Sequence, residues 1–278
     1  MLPLNLTMKS GSMSRIRKVT LSQLVPKKGH AVVLICLLLL NSGEKIGLGD
    51  GKQWRNLMAR VLVIGDLHAP AVHPKYYSFV KSIQKKYNTD KTVFIGDVVD
   101  HAAISFHDKN PEMPSAIDEF KLTKKVVNKF YKGFTDAYVT IGNHDERVAR
   151  LSSKQGIPPV YLRNYEELYN TPKWKWVTNV EIDNVMYTHG TGWGSKTPSL
   201  NAALNCLQSV VCGHHHSISG INWVQGPTTT LFGMSVGCGV DRDHPAMLYG
   251  KSYLKKPVLS CGVVINGHPY LEKMKGNS

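Results

Sequence analysis

The chain has 278 residues, of which 42% are hydrophobic and 19% charged, and its formal net charge is +14. These fractions exclude disorder as the default state, and the length allows one large domain or a domain with an appendage. Five cysteines (Cys36, Cys206, Cys212, Cys238 and Cys261), odd in number and without C-x-x-C spacing, argue against a disulfide framework and for a reducing, cytoplasmic setting. The charge is unevenly placed: residues 1–57 hold nine Lys or Arg against two Asp or Glu, half of the surplus. A moderately basic remainder suits a phosphate-handling enzyme and a nucleic-acid binder equally.

Residues 1–30 are polar and basic without apolar periodicity, and ten apolar residues follow at 31–40. A spanning helix needs about 20 such residues, so this run does not cross a bilayer unaided. A basic stretch before a short apolar run fits a signal or anchor segment at 28–42. Against that, the leading region is long, and Asn41-Ser42-Gly43 is a poor cleavage site. The expectation is an extension over 1–57, disordered or arising from a misassigned start codon, ahead of a domain over 58–278.

In that domain, short apolar runs at 61–64, 92–95, 137–141, 185–188 and 209–212 read as buried strands. After the first, Tyr76, Val80, Ile83 and Tyr87 recur at helical spacing and predict a helix over 73–88. A second helix over 115–131 is expected to turn Ile117, Phe120, Val127 and Phe130 inward. The stretch 157–176 is irregular and aromatic. A short helix over 198–207 follows, with Thr197 as its cap and Pro198 at the first position. Beyond His216, strands at 228–232, 235–240 and 258–265, separated by Gly and Pro, suggest a second, more antiparallel sheet. The alternation of strands and helices predicts an α/β layered fold.

Each of the first five runs ends in a polar motif. In order they are Asp66-Leu67-His68, Gly96-Asp97-Val98-Val99-Asp100, Gly142-Asn143-His144-Asp145, His189-Gly190 and Gly213-His214-His215-His216. Strand ends in α/β sheets bring side chains from separate loops to one place. Asp66, His68, Asp97, Asn143, His189, His214 and His216 are oxygen and nitrogen donors suited to two adjacent dications. Burying so many polar groups without a metal would be costly. Side-chain alternation predicts that Asp66 and His68 point the same way, and likewise His214 and His216, with His215 turned elsewhere.

The series D-x-H, G-D-x-x-D, G-N-H-D, H-G and G-H-x-H resembles the calcineurin-like metallophosphoesterase superfamily, from residue 59 to about 265. Within it, residues 95–107 and the stretch Thr188-His189-Gly190-Thr191-Gly192 are most similar to compact bacteriophage and prophage phosphoesterases. The resemblance implies a layered α/β/β/α sandwich, two packed sheets flanked by helices. It also implies two divalent ions, manganese first, with iron, zinc, nickel or magnesium as alternatives. Asp66, His68 and His216 would hold one ion, Asn143, His189 and His214 the other, and Asp97 would bridge them. A hydroxide between the ions would attack phosphorus; His144 would be the general acid or a phosphoryl contact, oriented by Asp100. Where phosphoprotein phosphatases read Arg-Gly after the second Asp, this chain has His101 and Ala102, which argues against that activity. The implied substrate is a phosphodiester, with DNA or RNA as its favoured source and no membrane partner. The alternatives are a small-molecule phosphomonoesterase and, in another class, a non-catalytic binding scaffold.

Four features outside this set are weighed separately. Asp145 reads as a local hydrogen-bonding group or a solvated loop carboxylate, and His101 and His107 as surface histidines. The aromatic and basic residues from Tyr161 to Trp176 read first as packing onto the core. Their second reading is a stacking surface for single-stranded nucleic acid.

Overall fold

Two β-sheets lie face to face, and the polar motifs sit at one end of both. The computed structural model describes residues 59–106, 112–250 and 254–275; the expectations for residues 1–57 and for His107 lie outside the described residues. The first sheet contains β1 (Arg60–Ile64), β2 (Lys91–Phe94), β3 (Ala137–Thr140) and β4 (Trp174–Val177), all parallel. Two antiparallel strands, β10 (Ser260–Ile265) and β11 (His268–Lys273), extend it to give the order β11-β10-β1-β2-β3-β4. The second sheet contains β5 (Asn179–Ile182), β6 (Val185–Thr188), β7 (Ser209–Cys212), β8 (Ser219–Gln225) and β9 (Thr230–Val236), in the order β5-β6-β7-β9-β8. Its inner three strands are parallel and its two edges antiparallel.

The period of two along β1 and β2 divides the core. Val61, Val63, Val93 and Ile95 face the second sheet and meet Tyr187, Val211, Phe232 and Met234. Leu62, Ile64 and Phe94 face the other way, against α1 (Tyr76–Tyr87) and α2 (Ala116–Gly133). On the far side, α5 (Pro198–Cys206) covers the second sheet through Ala202, Ala203 and Val210. The result is the layered α/β/β/α sandwich, completed by the short helices α3 (Arg147–Lys154) and α4 (Tyr165–Tyr169). Among the described residues, no helix is long and apolar enough to cross a membrane.

Several sequence expectations need correcting. The run at 258–265 does not join the second sheet; it lies beside β1, with Arg60 opposite Ile265 and Ile64 opposite Cys261. The runs at 228–232 and 235–240 contribute to one strand, β9, not two. In α2, Ile117 is 59% exposed, while Glu119 and Thr123 are buried. The first turns of that helix pass beside polar loops, so its inner face there is polar. Ser115 caps it as expected from its type, accepting the Asp118 N–H at 3.3 Å. Thr197 makes no side-chain cap to α5.

The aromatic stretch resolves into α4 and β4. Trp174 is 1% exposed and Tyr169 fully buried. The Trp174 indole N–H donates to the Phe134 carbonyl at 2.7 Å, and its ring centroid lies 4.6 Å from that of Phe94. Trp176 stacks on Tyr165 at 4.6 Å. These rings fill the space between β4, α2 and α4, so the stacking-surface reading fails for Trp174. Trp174→Ala should therefore cost about 3–5 kcal/mol of stability, as large-to-small core substitutions do. Urea unfolding measures it; an unchanged midpoint would contradict this placement.

Candidate metal centre

β1, β2, β3, β6 and β7 deliver their motifs at their carboxyl ends. Asp66 follows β1 and is tied by a bridge to Cys238. His68, Asp97 and His214 lie past the strand ends in the left-handed region, at φ 49°, 46° and 67°. Convergence is thus achieved by left-handed turns and not by the strand alternation expected. Such backbone costs about 1–3 kcal/mol per residue and persists only where its surroundings over-determine it. Here they do: the amides of Leu67 and His68 donate to the Asp97 carbonyl at 3.1 and 2.8 Å. The His214 N–H donates to Asp66 Oδ2 at 2.9 Å, and the His144 N–H to Asp97 Oδ1 at 2.8 Å. Gly142 and Gly213 are required by close approach, because a Cβ at either would overlap the carboxylate of Asp97 or Asp66.

The donor atoms gather into groups that share Asp97. Asp66, His68, Asp97 and His216 each bring one atom within 4.8 Å of the others, as do Asp97, His189 and His214. Asn143 joins the second group, its Oδ1 3.2 Å from His189 Nε2. His214 and His216, which side-chain alternation would turn the same way, go to the different groups that the family resemblance implied. His215 turns away, as expected, with Nε2 2.9 Å from the Trp193 carbonyl.

The hydrogen bonds around the groups test whether a cation fits. His68 Nδ1 lies 2.8 Å from Asp100 Oδ1, and His189 Nδ1 2.9 Å from the Ile95 carbonyl. These acceptors place the protons on Nδ1 and aim the Nε2 lone pairs inward. His68 Nε2 then faces His216 Nε2 at 3.0 Å and Asp97 Oδ2 at 3.5 Å, while His189 Nε2 faces the same Oδ2 at 3.1 Å. Acceptor meets acceptor where His68 and His189 face Asp97 Oδ2, which is repulsive unless a proton or a cation lies between. Asp66 Oδ1 is buried and makes no hydrogen bond with any described residue. Hard oxygens and imidazole nitrogens in this arrangement fit divalent ions.

Charge reinforces the point. Burial disfavours ionised carboxylates, yet hydrogen bonding and charge from the surrounding imidazoles hold Asp66 below its ordinary range and Asp97 well below it. Burial would lower His189, but the Asp97 carboxylate outweighs that and pushes it up to about 10. Burial, and then the charge of His189, lowers His214 to about 4. Without a cation, the site keeps a proton on His189 as its counter-charge.

A third cluster, His68, Asp100 and His144, adjoins the first. Asp100 Oδ1 lies 2.9 Å from His144 Nδ1 as well as 2.8 Å from His68 Nδ1, so one oxygen orients both rings. Burial lowers the His144 pKa, but the bond to Asp100 and the charge of Asp97 raise it above its ordinary value.

Two supporting residues, Arg147 and Glu119, escaped the sequence reading. Arg147 Nη1 donates to the carbonyls of Asp100 and His101 at 2.8 and 2.9 Å. Its Nη2 lies 3.0 and 3.3 Å from the two ring nitrogens of His144, near-equal distances that put it over the ring. Its position three residues past His144 on a helical turn was the available signal. Glu119 reaches from α2 to accept the N–H groups of Ala102 and Ala103 at 2.7 and 2.8 Å. Asp145 is buried, accepting from Val99 and Gly142 at 3.1 and 2.9 Å, so it is a structural clamp and not a solvated carboxylate. His101 is half-buried at φ 56°, with Nε2 3.1 Å from the Tyr169 hydroxyl, and is no surface histidine.

Among solved structures, the chain is similar to Vacuolar Protein Sorting 29 from Cryptosporidium parvum, at 14% identity, covering 80% of this chain and 100% of that one with a TM-score of 0.40. It is also similar to YfcE, a phosphoesterase from E. coli, at 17% identity, covering 74% and 87% with a TM-score of 0.37. No match is found among curated protein sequences. The sequence profile for calcineurin-like phosphoesterases matches residues 59–268, which take in all five motifs and both sheets, and the chain belongs to that family.

Proposed function

We propose that the chain hydrolyses phosphodiesters at a two-metal centre. One observation carries this reading: two groups of donors share Asp97, with imidazole lone pairs turned toward its Oδ2. Asp66, His68 and His216 would hold one ion and Asn143, His189 and His214 the other, with Asp97 available to both. Bound divalent ions, manganese foremost, supply Lewis-acid polarisation of phosphoryl oxygens and a nucleophile from water at neutral pH. The remaining work falls to the protein. Asp100 holds His144 through Nδ1, leaving Nε2 to protonate the departing oxygen. Asp97 Oδ1 fixes the backbone of that same histidine, so the acid and the ion-binding groups share one support.

The preference for diesters has narrower support now that Trp174 is withdrawn from it. No Arg follows Asp100 to grip a doubly charged monoester, and Nη1 of Arg147 is committed to two backbone carbonyls. The likeness of residues 95–107 to phage-type enzymes points the same way. Catalytic efficiencies on a bis-aryl phosphodiester and an aryl phosphomonoester test the assignment; a large advantage for the monoester would reverse it.

Metal loading should expel the proton held on His189. At pH 7.5, titrating manganese into metal-free protein should release about one proton per centre, since ligands must be deprotonated to bind. Calorimetry in buffers of different ionisation enthalpy reads this directly, and a buffer-independent heat would argue against His189 as a ligand. Asp97→Asn should lower the bound metal from two ions toward one or none and abolish hydrolysis, as plasma emission analysis alongside a turnover assay would show. His144→Ala should keep its metal while losing about 10²–10⁴ in turnover, the usual range for acid–base catalysis. The loss should be smaller for aryl leaving groups, which need no proton; equal losses would recast His144 as an electrostatic contact.

A further inference from the structure

The charge of the domain is concentrated on one layer. Residues 74–91 and 115–136, which contain α1 and α2, carry ten lysines against Asp90, Asp118, Glu119 and Asp136. That is +6 of the +7 found over residues 58–278, so the rest of the domain is nearly neutral. Lys121, Lys125, Lys129 and Lys132 are all exposed and recur at i, i+4, i+8 and i+11, forming one stripe along α2. Among the described residues, the ion pairs on this layer are Lys121 with Asp118 at 2.9 Å and Lys86 with Glu272. Lys125 and Lys132 have none.

The stripe begins beside the metal centre. On the inner side of the same helix, Glu119 holds the amides of Ala102 and Ala103, and the Thr123 hydroxyl donates to the Ala69 carbonyl at 3.0 Å. Ala69 follows His68, and Ala102 lies two residues past Asp100. Lys121 and Lys125 project outward from the turns that brace these two loops. At about 1.5 Å per residue, the stripe runs roughly 16 Å from Lys121 to Lys132. Phosphates of one strand of a duplex recur at about 3.4 Å of helix axis, so a stripe aligned with that axis passes about five of them.

We infer that the lysine stripe of α2 binds the phosphate backbone of a nucleic acid and leads the strand to the metal centre. Lysines act as point charges without planar or bidentate recognition, so the surface grips backbone without reading bases. An anionic membrane is the less favoured partner. Interfacial helices bury apolar side chains among their basic residues along their length; the large exposed apolar side chains of α2, Ile117 and Leu122, lie in its first two turns, and from Lys125 to Lys132 every exposed position is a lysine. This inference rests on the phosphodiester reading above and names its substrate class.

The test uses the full chain loaded with manganese, so the basic residues 1–57 are common to every arm. Binding of a 20-nucleotide phosphorothioate oligonucleotide, which resists cleavage, is followed by fluorescence anisotropy across a salt series. The triple variant Lys125→Glu, Lys129→Glu and Lys132→Glu should bind at least tenfold more weakly. Its dependence of log K on log salt should be shallower by about two to three, as expected when three phosphate contacts are lost. A parallel Lys→Gln triple variant guards against a charge-reversal artefact and should show the same trend more weakly. Equal affinity in wild type and variants would overturn the inference. Lysine-dependent binding to phosphatidylserine vesicles, with no binding to the oligonucleotide, would also overturn it and make the face a membrane surface. Hydrolysis of the bis-aryl diester separates the two readings. If it is absent while oligonucleotide binding still depends on the lysines, the catalytic assignment fails and the binding surface stands.

Discussion

The contact of Asp97 with its neighbours is the constraint on which the site depends. This carboxylate is buried, and each of its oxygens has a different duty. Oδ1 accepts the backbone N–H of His144, while Oδ2 faces the Nε2 atoms of His68 and His189. A buried anion among imidazole lone pairs is strongly unfavourable without positive charge between them. The second-layer bonds from Asp100 and the Ile95 carbonyl keep the ring protons on the outer nitrogens. The arrangement therefore suits a cation among these donors.

Rigid support for that arrangement comes from residues that lie outside it. Asp145 staples the loop after β2 to the loop after β3 through the amides of Val99 and Gly142. Glu119 caps the turn that follows Asp100, and Arg147 holds the carbonyls of Asp100 and His101 from the opposite side. Three buried or half-buried charged groups are thus spent on backbone amides and carbonyls. Together they satisfy polar groups that the left-handed turns at Asp97 and His101 leave outside any sheet. Strain at the strand ends and charged braces around them belong to one design.

Electrostatics divides the domain into two regimes. Five of its carboxylates, Asp66, Asp97, Asp100, Glu119 and Asp145, are buried at or behind the centre, where they act over a few ångströms in a medium that screens poorly. The lysines of α1 and α2 are exposed, where solvent and salt weaken each of them. A polyanionic partner, such as the one proposed above, would draw on the lysines collectively. Both features share the Ala69 and Ala102 neighbourhood, so the proposed capture would lie next to the proposed chemistry.

Much of this was legible in the chain itself. Short apolar runs that each end in a polar motif identify the strands and the residues at their ends, because buried parallel strands need continuous hydrophobicity and their carboxyl ends need functional groups. Asp66, His68, Asp97, Asn143, His144, His189, His214 and His216 follow those runs and lie near one another in space. What the runs could not decide was how these residues turn. His214 and His216 part company because His214 adopts a left-handed conformation, and a single dihedral is invisible to a pattern of side-chain types. The partner of the run at 258–265 was equally hidden, since β10 pairs with β1 from the far end of the chain, Arg60 lying opposite Ile265. Trp174 and Glu119 show the same limit in opposite senses: an aromatic among lysines turned out to be core, and a helix carboxylate turned out to be buried. Burial is a property of what the rest of the chain places nearby, and only the tertiary structure supplies it.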